Sequence, residues 1–128
     1  MDHMEVDDIE EKINTLETYC RVVNEARTDI LEIDIRKTVD EHLVLNHDGI
    51  INGVNVNEST LEQLQKLDPQ LITLDQVLSE FQSTSSLVYF FDMKDIKAIL
   101  LTLGAIKQYN IENHVIFGAG DRTINKEL

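Results

Sequence analysis

The stretch "ILEIDIRKTVDEHLVLNHD", residues 30–48, decides how the rest of the chain is read. Apolar Leu31, Ile33 and Ile35 alternate with Glu32 and Asp34, the period of two that a strand imposes on its faces. Both carboxylates therefore share one face and the aliphatic side chains the other. Two anions side by side on a buried strand are costly unless they are paired or hold a cation. An edge strand with its acidic face in water carries no such cost, and the spacing alone leaves both readings open. A second apolar run, residues 43–45, ends in Asn46-His47-Asp48. A histidine just beyond a strand's C-terminal end stands where parallel α/β folds keep their sites, and its pKa suits proton transfer near neutrality. A surface histidine is the plainer alternative.

Upstream of this stretch, Ile9, Ile13, Leu16, Cys20 and Val23 recur at helical spacing, so residues 9–26 read as an amphipathic helix capped by Asp8 and Glu11. Downstream, residues 42–47 read as a strand, and Asp48-Gly49 and Asn52-Gly53 mark turns. Ser59-Thr60-Leu61-Glu62 has the form of a capping box ahead of a short helix bearing Leu61, Leu64 and Leu67. Thr73-Leu74-Asp75-Gln76 repeats the signal, with Leu74, Val77, Leu78 and Phe81 as the apolar face. Residues 85–94 read as a buried strand. A helix follows from Ile96 to about Tyr109 with Asn110 as a left-handed cap. Residues 114–120 read as the last strand and residues 121–128 as the start of a helix. This order of strands and helices predicts an α/β protein with parallel strands. Asp92 and Lys94 stand two apart at the end of the third strand and so share a face. They are either a strand-end ion pair or a carboxylate ligand beside an ammonium that faces an anion.

The composition narrows the partners. Of 128 residues, 42% are hydrophobic, enough for one packed domain, and the formal net charge is −13. That charge argues against a nucleic-acid backbone and is compatible with cation binding through carboxylates. The single cysteine, Cys20, excludes an intrachain disulfide and fits a reducing compartment. The acidic N-terminus has no signal-peptide pattern, and the longest apolar stretch, residues 96–106, is far short of a membrane span. A cytoplasmic location is expected for this chain, with membrane association reserved for a longer form.

Taken together, these segments resemble the glycerophosphodiester phosphodiesterases. Residues 30–48 look like the family's metal-and-histidine region. "INTLETYCRVVNEARTD", residues 13–29, is similar to the helix after the family's first strand. "GVNVNESTLEQLQKLDPQLITLDQVLSEF", residues 53–81, is similar to the segment after its histidine. "VYFFDMK", residues 88–94, takes the place of the strand carrying acidic-x-Lys, and "HVIFGAGD", residues 114–121, that of the next strand. The resemblance covers residues 13–121. It implies a partial TIM (β/α)8 barrel, roughly strands two to five with their helices, as one partial domain over residues 1–128 with a flexible extension at 1–8. It implies a divalent cation, Mg²⁺ or Ca²⁺, on Glu32, Asp34 and Asp92. His47 then matches a catalytic histidine and Lys94 the lysine near the phosphate. The implied activity is metal-dependent hydrolysis of glycerophosphodiesters, or of lysophospholipids in one branch, within phospholipid metabolism.

The chain also departs from the family pattern. It contains no His-Arg-Gly, which in the family supplies the other acid–base histidine and a phosphate-binding arginine. A (β/α)8 barrel typically takes about 250 residues, so this sequence corresponds to part of one. Impaired turnover is therefore expected, and whether the chain is an enzyme stays open. The alternative is a non-catalytic fragment or interaction module of the same descent, able to self-associate through open barrel edges.

Overall fold

Strand β1, Ile30–Lys37, is the centre of the molecule. Its odd residues are sealed: Leu31, Ile33 and Ile35 are 2%, 0% and 0% exposed. The computed structural model describes Leu16, residues 30–82 and residues 87–118. The expected 1–8 extension, the 121–128 helix and all of the 9–26 helix except Leu16 lie outside them. Leu16 is helical and packs against the main core.

After β1 the chain turns back at once. Thr38, fully buried, receives the His42 N–H on its hydroxyl and donates that hydroxyl to Asp40 at 2.6 Å, while Glu41 takes a left-handed φ of 64°. Strand β2, Leu43–Leu45, then pairs antiparallel with β1, Ile35 opposite Leu45. Only five residues separate the two strands, whereas a parallel crossover needs a dozen or more. The strand expected over 42–47 is thus the return arm of a hairpin. A second hairpin follows, β3 (Ile50–Ile51) with β4 (Val54–Asn55). Asn52 and Gly53, at φ 48° and 83°, form the left-handed pair of a two-residue turn between them.

Two short helices come next. Helix α1, Leu61–Leu67, is capped by Thr60 and Gln63, one residue later than the expected Ser59 and Glu62. Ser59 is instead buried and donates its hydroxyl to the Asn55 carbonyl at 2.8 Å. Helix α2, Leu74–Phe81, has the expected box of Thr73 and Gln76, and its Leu74, Val77, Leu78 and Phe81 are all buried. The chain then enters β5, Val88–Met93, parallel to β1, passes through helix α3, Ile99–Gln108, and ends in β6, Val115–Gly118, parallel to β5. Asn110, at φ 56°, is left-handed just after α3, as expected.

The sheet order is β2-β1-β5-β6. The architecture is that of part of a TIM barrel, with three parallel staves among the described residues and β2 as an antiparallel flank. The main core lies between one sheet face and the helices: Leu31, Ile33, Ile35, Tyr89, Phe91 and Met93 pack against Leu74, Val77, Leu78, Phe81 and Ile106. A smaller core of Val44, Ile51, Val56, Leu64 and Leu71 lies under the second hairpin and α1. The opposite sheet face carries Glu32, Asp34, Phe90, Asp92 and Ile116, and corresponds to a barrel interior.

Two substitutions separate packing from capping. Phe91→Ala, at a fully buried site, is expected to cost about 3–5 kcal/mol. Thr73→Ala removes one half of the α2 cap and is expected to cost about 1 kcal/mol. Urea denaturation measures both; equal losses would contradict this assignment of the core.

Candidate metal centre

The parallel register of β1 and β5 builds the centre. It sets Asp34 opposite Asp92 and Glu32 opposite Phe90. One carboxylate oxygen from each of Glu32, Asp34 and Asp92 lies within 4.8 Å of the others. Oxygens bound to one Mg²⁺ or Ca²⁺ at about 2.1–2.5 Å stand no more than about 4–5 Å apart, so the spacing fits one hard cation.

The environment fits as well. Asp34 is 9% exposed, and its pKa is raised to about 6. Burial is the main cause, with smaller contributions from the negative charges of Asp92 and Glu32, while Lys94 and His47 oppose it. Asp92 holds Lys94 by an ion pair of 3.0 Å through Oδ2, with side chains only 16% and 19% exposed. Its other oxygen, Oδ1, is buried and has no hydrogen-bond partner. A buried carboxylate oxygen left bare costs free energy that a cation would recover. Three carboxylate donors, and no sulfur, suit Mg²⁺ or Ca²⁺ rather than a soft metal.

His47 arrives differently from the sequence expectation. It does not cap a parallel strand. The β1–β2 hairpin carries it back alongside β1, where the Asn46 N–H donates to the Asp34 carbonyl at 3.3 Å. Its ring is exposed, with Nδ1 3.0 Å from Asp48 Oδ1. It lies near enough to Asp34 to stabilise that carboxylate. Of the five residues singled out from the sequence, Glu32, Asp34 and Asp92 come together, Lys94 pairs with Asp92, and His47 stands on the loop after β2.

Sequence reasoning missed three residues. Arg36 continues the alternation of Glu32 and Asp34, so period two alone placed it on the same face. Its guanidinium donates to the His47 carbonyl through Nη2 at 2.8 Å and Nε at 3.3 Å, and reaches the Lys94 carbonyl through Nη1 at 3.5 Å. Burial lowers its pKa, against the attraction of Asp95, Asp48, Asp34 and Asp92. Phe90 and Gly118 form the other pair. Gly118 stands opposite Asp92 in the sheet, and a Cβ there would run into the Phe90 ring. The glycine is the space the ring occupies; a glycine inside a strand pattern is the sequence signal for such an approach.

Residues 10–115 match the model of the glycerophosphoryl diester phosphodiesterase family. The chain belongs to that family. Solved glycerophosphodiester phosphodiesterases share its fold. The Thermotoga maritima structure superposes with a TM-score of 0.74 at 24% identity, covering 89% of this chain and 50% of that one. A Parabacteroides distasonis structure gives 0.79 at 22% identity, covering 89% and 52%. One from Agrobacterium tumefaciens gives 0.73 at 13%, covering 88% and 54%. The chain spans about half the length of these family members. No curated protein sequence matches it. No helix among the described residues is long and apolar enough to cross a membrane.

The raised pKa of Asp34 sets a pH dependence. The folded value, about 6, exceeds the ordinary 3.8, so the folded state binds the proton more tightly than the unfolded chain does. The resulting stability is full below about 3.8 and is lost as pH rises through about 6. With divalent cations chelated, Asp34→Asn is expected to be more stable than the parent at pH 7.5, by up to about 3 kcal/mol, with the gap closing toward pH 4. Denaturation curves at several pH values measure it, and a gap constant with pH would contradict the assignment. Separately, Gly118→Ala is expected to destabilise by about 1–3 kcal/mol, and Phe90→Ala to relieve most of that loss in the double variant. Additive losses would show that the ring and the glycine are independent.

Proposed function

We propose that this chain carries the metal-binding part of a phosphodiesterase site and acts on the phosphodiester of a glycerophosphodiester or a lysophospholipid. The supporting observation is the convergence of Glu32, Asp34 and Asp92 within 4.8 Å, with a buried Asp92 oxygen lacking a partner. Glu32, Asp34 and Asp92 would hold Mg²⁺ or Ca²⁺. A divalent cation, when bound, supplies Lewis-acid polarisation of a phosphoryl oxygen. The Lys94 ammonium, at 3.0 Å from Asp92, stands beside that centre and attracts the phosphate charge. His47 exchanges a proton at its exposed ring. In the reaction a water oxygen bonds to phosphorus, the bond from phosphorus to the alcohol oxygen breaks, and the alcohol leaves with a proton.

Turnover is reduced in this reading. His-Arg-Gly, which the resemblance makes the source of a second proton-transfer group and a phosphate-binding arginine, does not occur in residues 1–128. Loss of one general acid–base group typically costs about 10²–10⁴ in rate. A cytoplasmic location and a single domain over residues 1–128 belong to the same proposal.

A second reading is a non-catalytic module that pairs with another chain, such as a second copy. Ile116, 45% exposed on the face that corresponds to a barrel interior, favours it, because β6 is the outermost parallel strand among the described residues. Calorimetric titration of Mg²⁺ and Ca²⁺ separates the two. Saturable binding that Asp34→Ala abolishes is expected for the metal-dependent site. A folded protein that binds neither ion would transfer the weight to the interaction module.

A further inference from the structure

Among the described residues, few hydrogen bonds hold the loop that carries His47 to β1 and β5. At its start, the Asn46 N–H donates to the Asp34 carbonyl over a long 3.3 Å. At its end, the Gly49 carbonyl accepts the Val56 N–H at 2.9 Å, which ties it to the second hairpin rather than to β1 or β5. The Asn46 side chain donates to the Asp48 carbonyl at 2.8 Å, a bond internal to the loop. The His47 ring is exposed and, among the described residues, its polar partner is the neighbouring Asp48 carboxylate, so the ring does not anchor itself to the sheet.

Arg36 supplies the missing attachment. Two of its guanidinium nitrogens converge on one oxygen, the His47 carbonyl, at 2.8 and 3.3 Å. The third extends to the Lys94 carbonyl at 3.5 Å, at the end of β5. Gly49 leaves room for this: a Cβ there would stand 3.3 Å from Nη1, tighter than ordinary contact. The planar guanidinium thus spans three segments: the end of β1, the His47 loop and the Lys94 backbone. A lysine at the same position keeps the charge but has no fork with which to span two carbonyls.

We infer that Arg36 is a positioning residue, whose guanidinium sets His47 relative to Lys94 and the carboxylates by clamping the backbone carbonyls of both. It touches neither phosphate nor metal ligand in this role, and it acts through His47. Its catalytic consequence rests on the functional reading above; the clamp itself does not.

The test is made on the full chain with Arg36→Lys and Arg36→Gln. Amide hydrogen exchange by NMR reads the clamp at the Asn46 and Val56 amides, which bound the loop. Both variants are expected to speed exchange there on the order of tenfold, the loss of a hydrogen bond to a charged donor. The Ile33, Ile35 and Phe91 amides and the Mg²⁺ affinity are expected to stay within twofold. Unchanged exchange at Asn46 and Val56, full restoration by lysine, or equal acceleration throughout β1 and β5 would each overturn the clamp. Hydrolysis of bis(p-nitrophenyl) phosphate with Mg²⁺ then reads its consequence. Arg36→Lys is expected to lower kcat with KM within twofold, and to add no further loss in a His47→Ala background. Additive losses would overturn the action through His47. Absence of turnover in the unaltered chain counts against the functional reading, while the exchange rates still decide the clamp.

Discussion

The rest of the structure depends on one register. β1 and β5 run parallel with Asp34 opposite Asp92, and this places like charges side by side on a partly buried face. Three carboxylates within 4.8 Å repel one another, and burial sharpens the repulsion because the local dielectric is low. The fold tolerates the arrangement by two visible means. Asp34 holds its proton up to a pH of about 6, and Asp92 takes Lys94 as an ion-pair partner. Neither satisfies Asp92 Oδ1. The carboxylate set is therefore poor for stability in the absence of a cation and well matched to one in its presence, which is how a binding site differs from a structural ion pair.

What keeps this strained face in place is the other side of the same strands. Leu31, Ile33, Ile35, Tyr89, Phe91 and Met93 are at most 2% exposed and interlock with the apolar faces of α2 and α3. A strand has no freedom to turn one face without the other, so burying the odd residues fixes where the even residues point. The core thus holds the charges together at a cost the hydrophobic contacts offset. The hairpin after β1 adds His47 by a local route, through a five-residue turn built on Thr38, and Arg36 fastens that hairpin to the sheet.

The family membership and the half-length coverage bear on how such a centre is used. Glycerophosphodiester phosphodiesterases of known structure extend over about twice the length matched here. Within the half-length matched, Glu32, Asp34 and Asp92 meet because β1 and β5 are adjacent staves.

Much of this was legible in the sequence. Period-two alternation from Leu31 to Ile35 is a local property of the backbone, so it identified the strand, its faces and the shared side of Glu32 and Asp34 without any tertiary information. The Thr73–Gln76 cap and the left-handed Asn110 are local for the same reason. The family resemblance joined Asp92 to the pair, across a sequence separation that periodicity cannot bridge. Other features required the tertiary structure. The direction of β2 follows from a turn too short for a crossover, and its Thr38 hydrogen bonds appear only when the chain is folded. The role of Phe90 against Gly118 depends on the pairing of β5 with β6. The grip of Arg36 on the His47 and Lys94 carbonyls joins backbone atoms distant in sequence. Local sequence determines which face a side chain occupies; only the pairing of strands decides which groups from different strands meet there, because that contact is made across the sheet rather than along the chain.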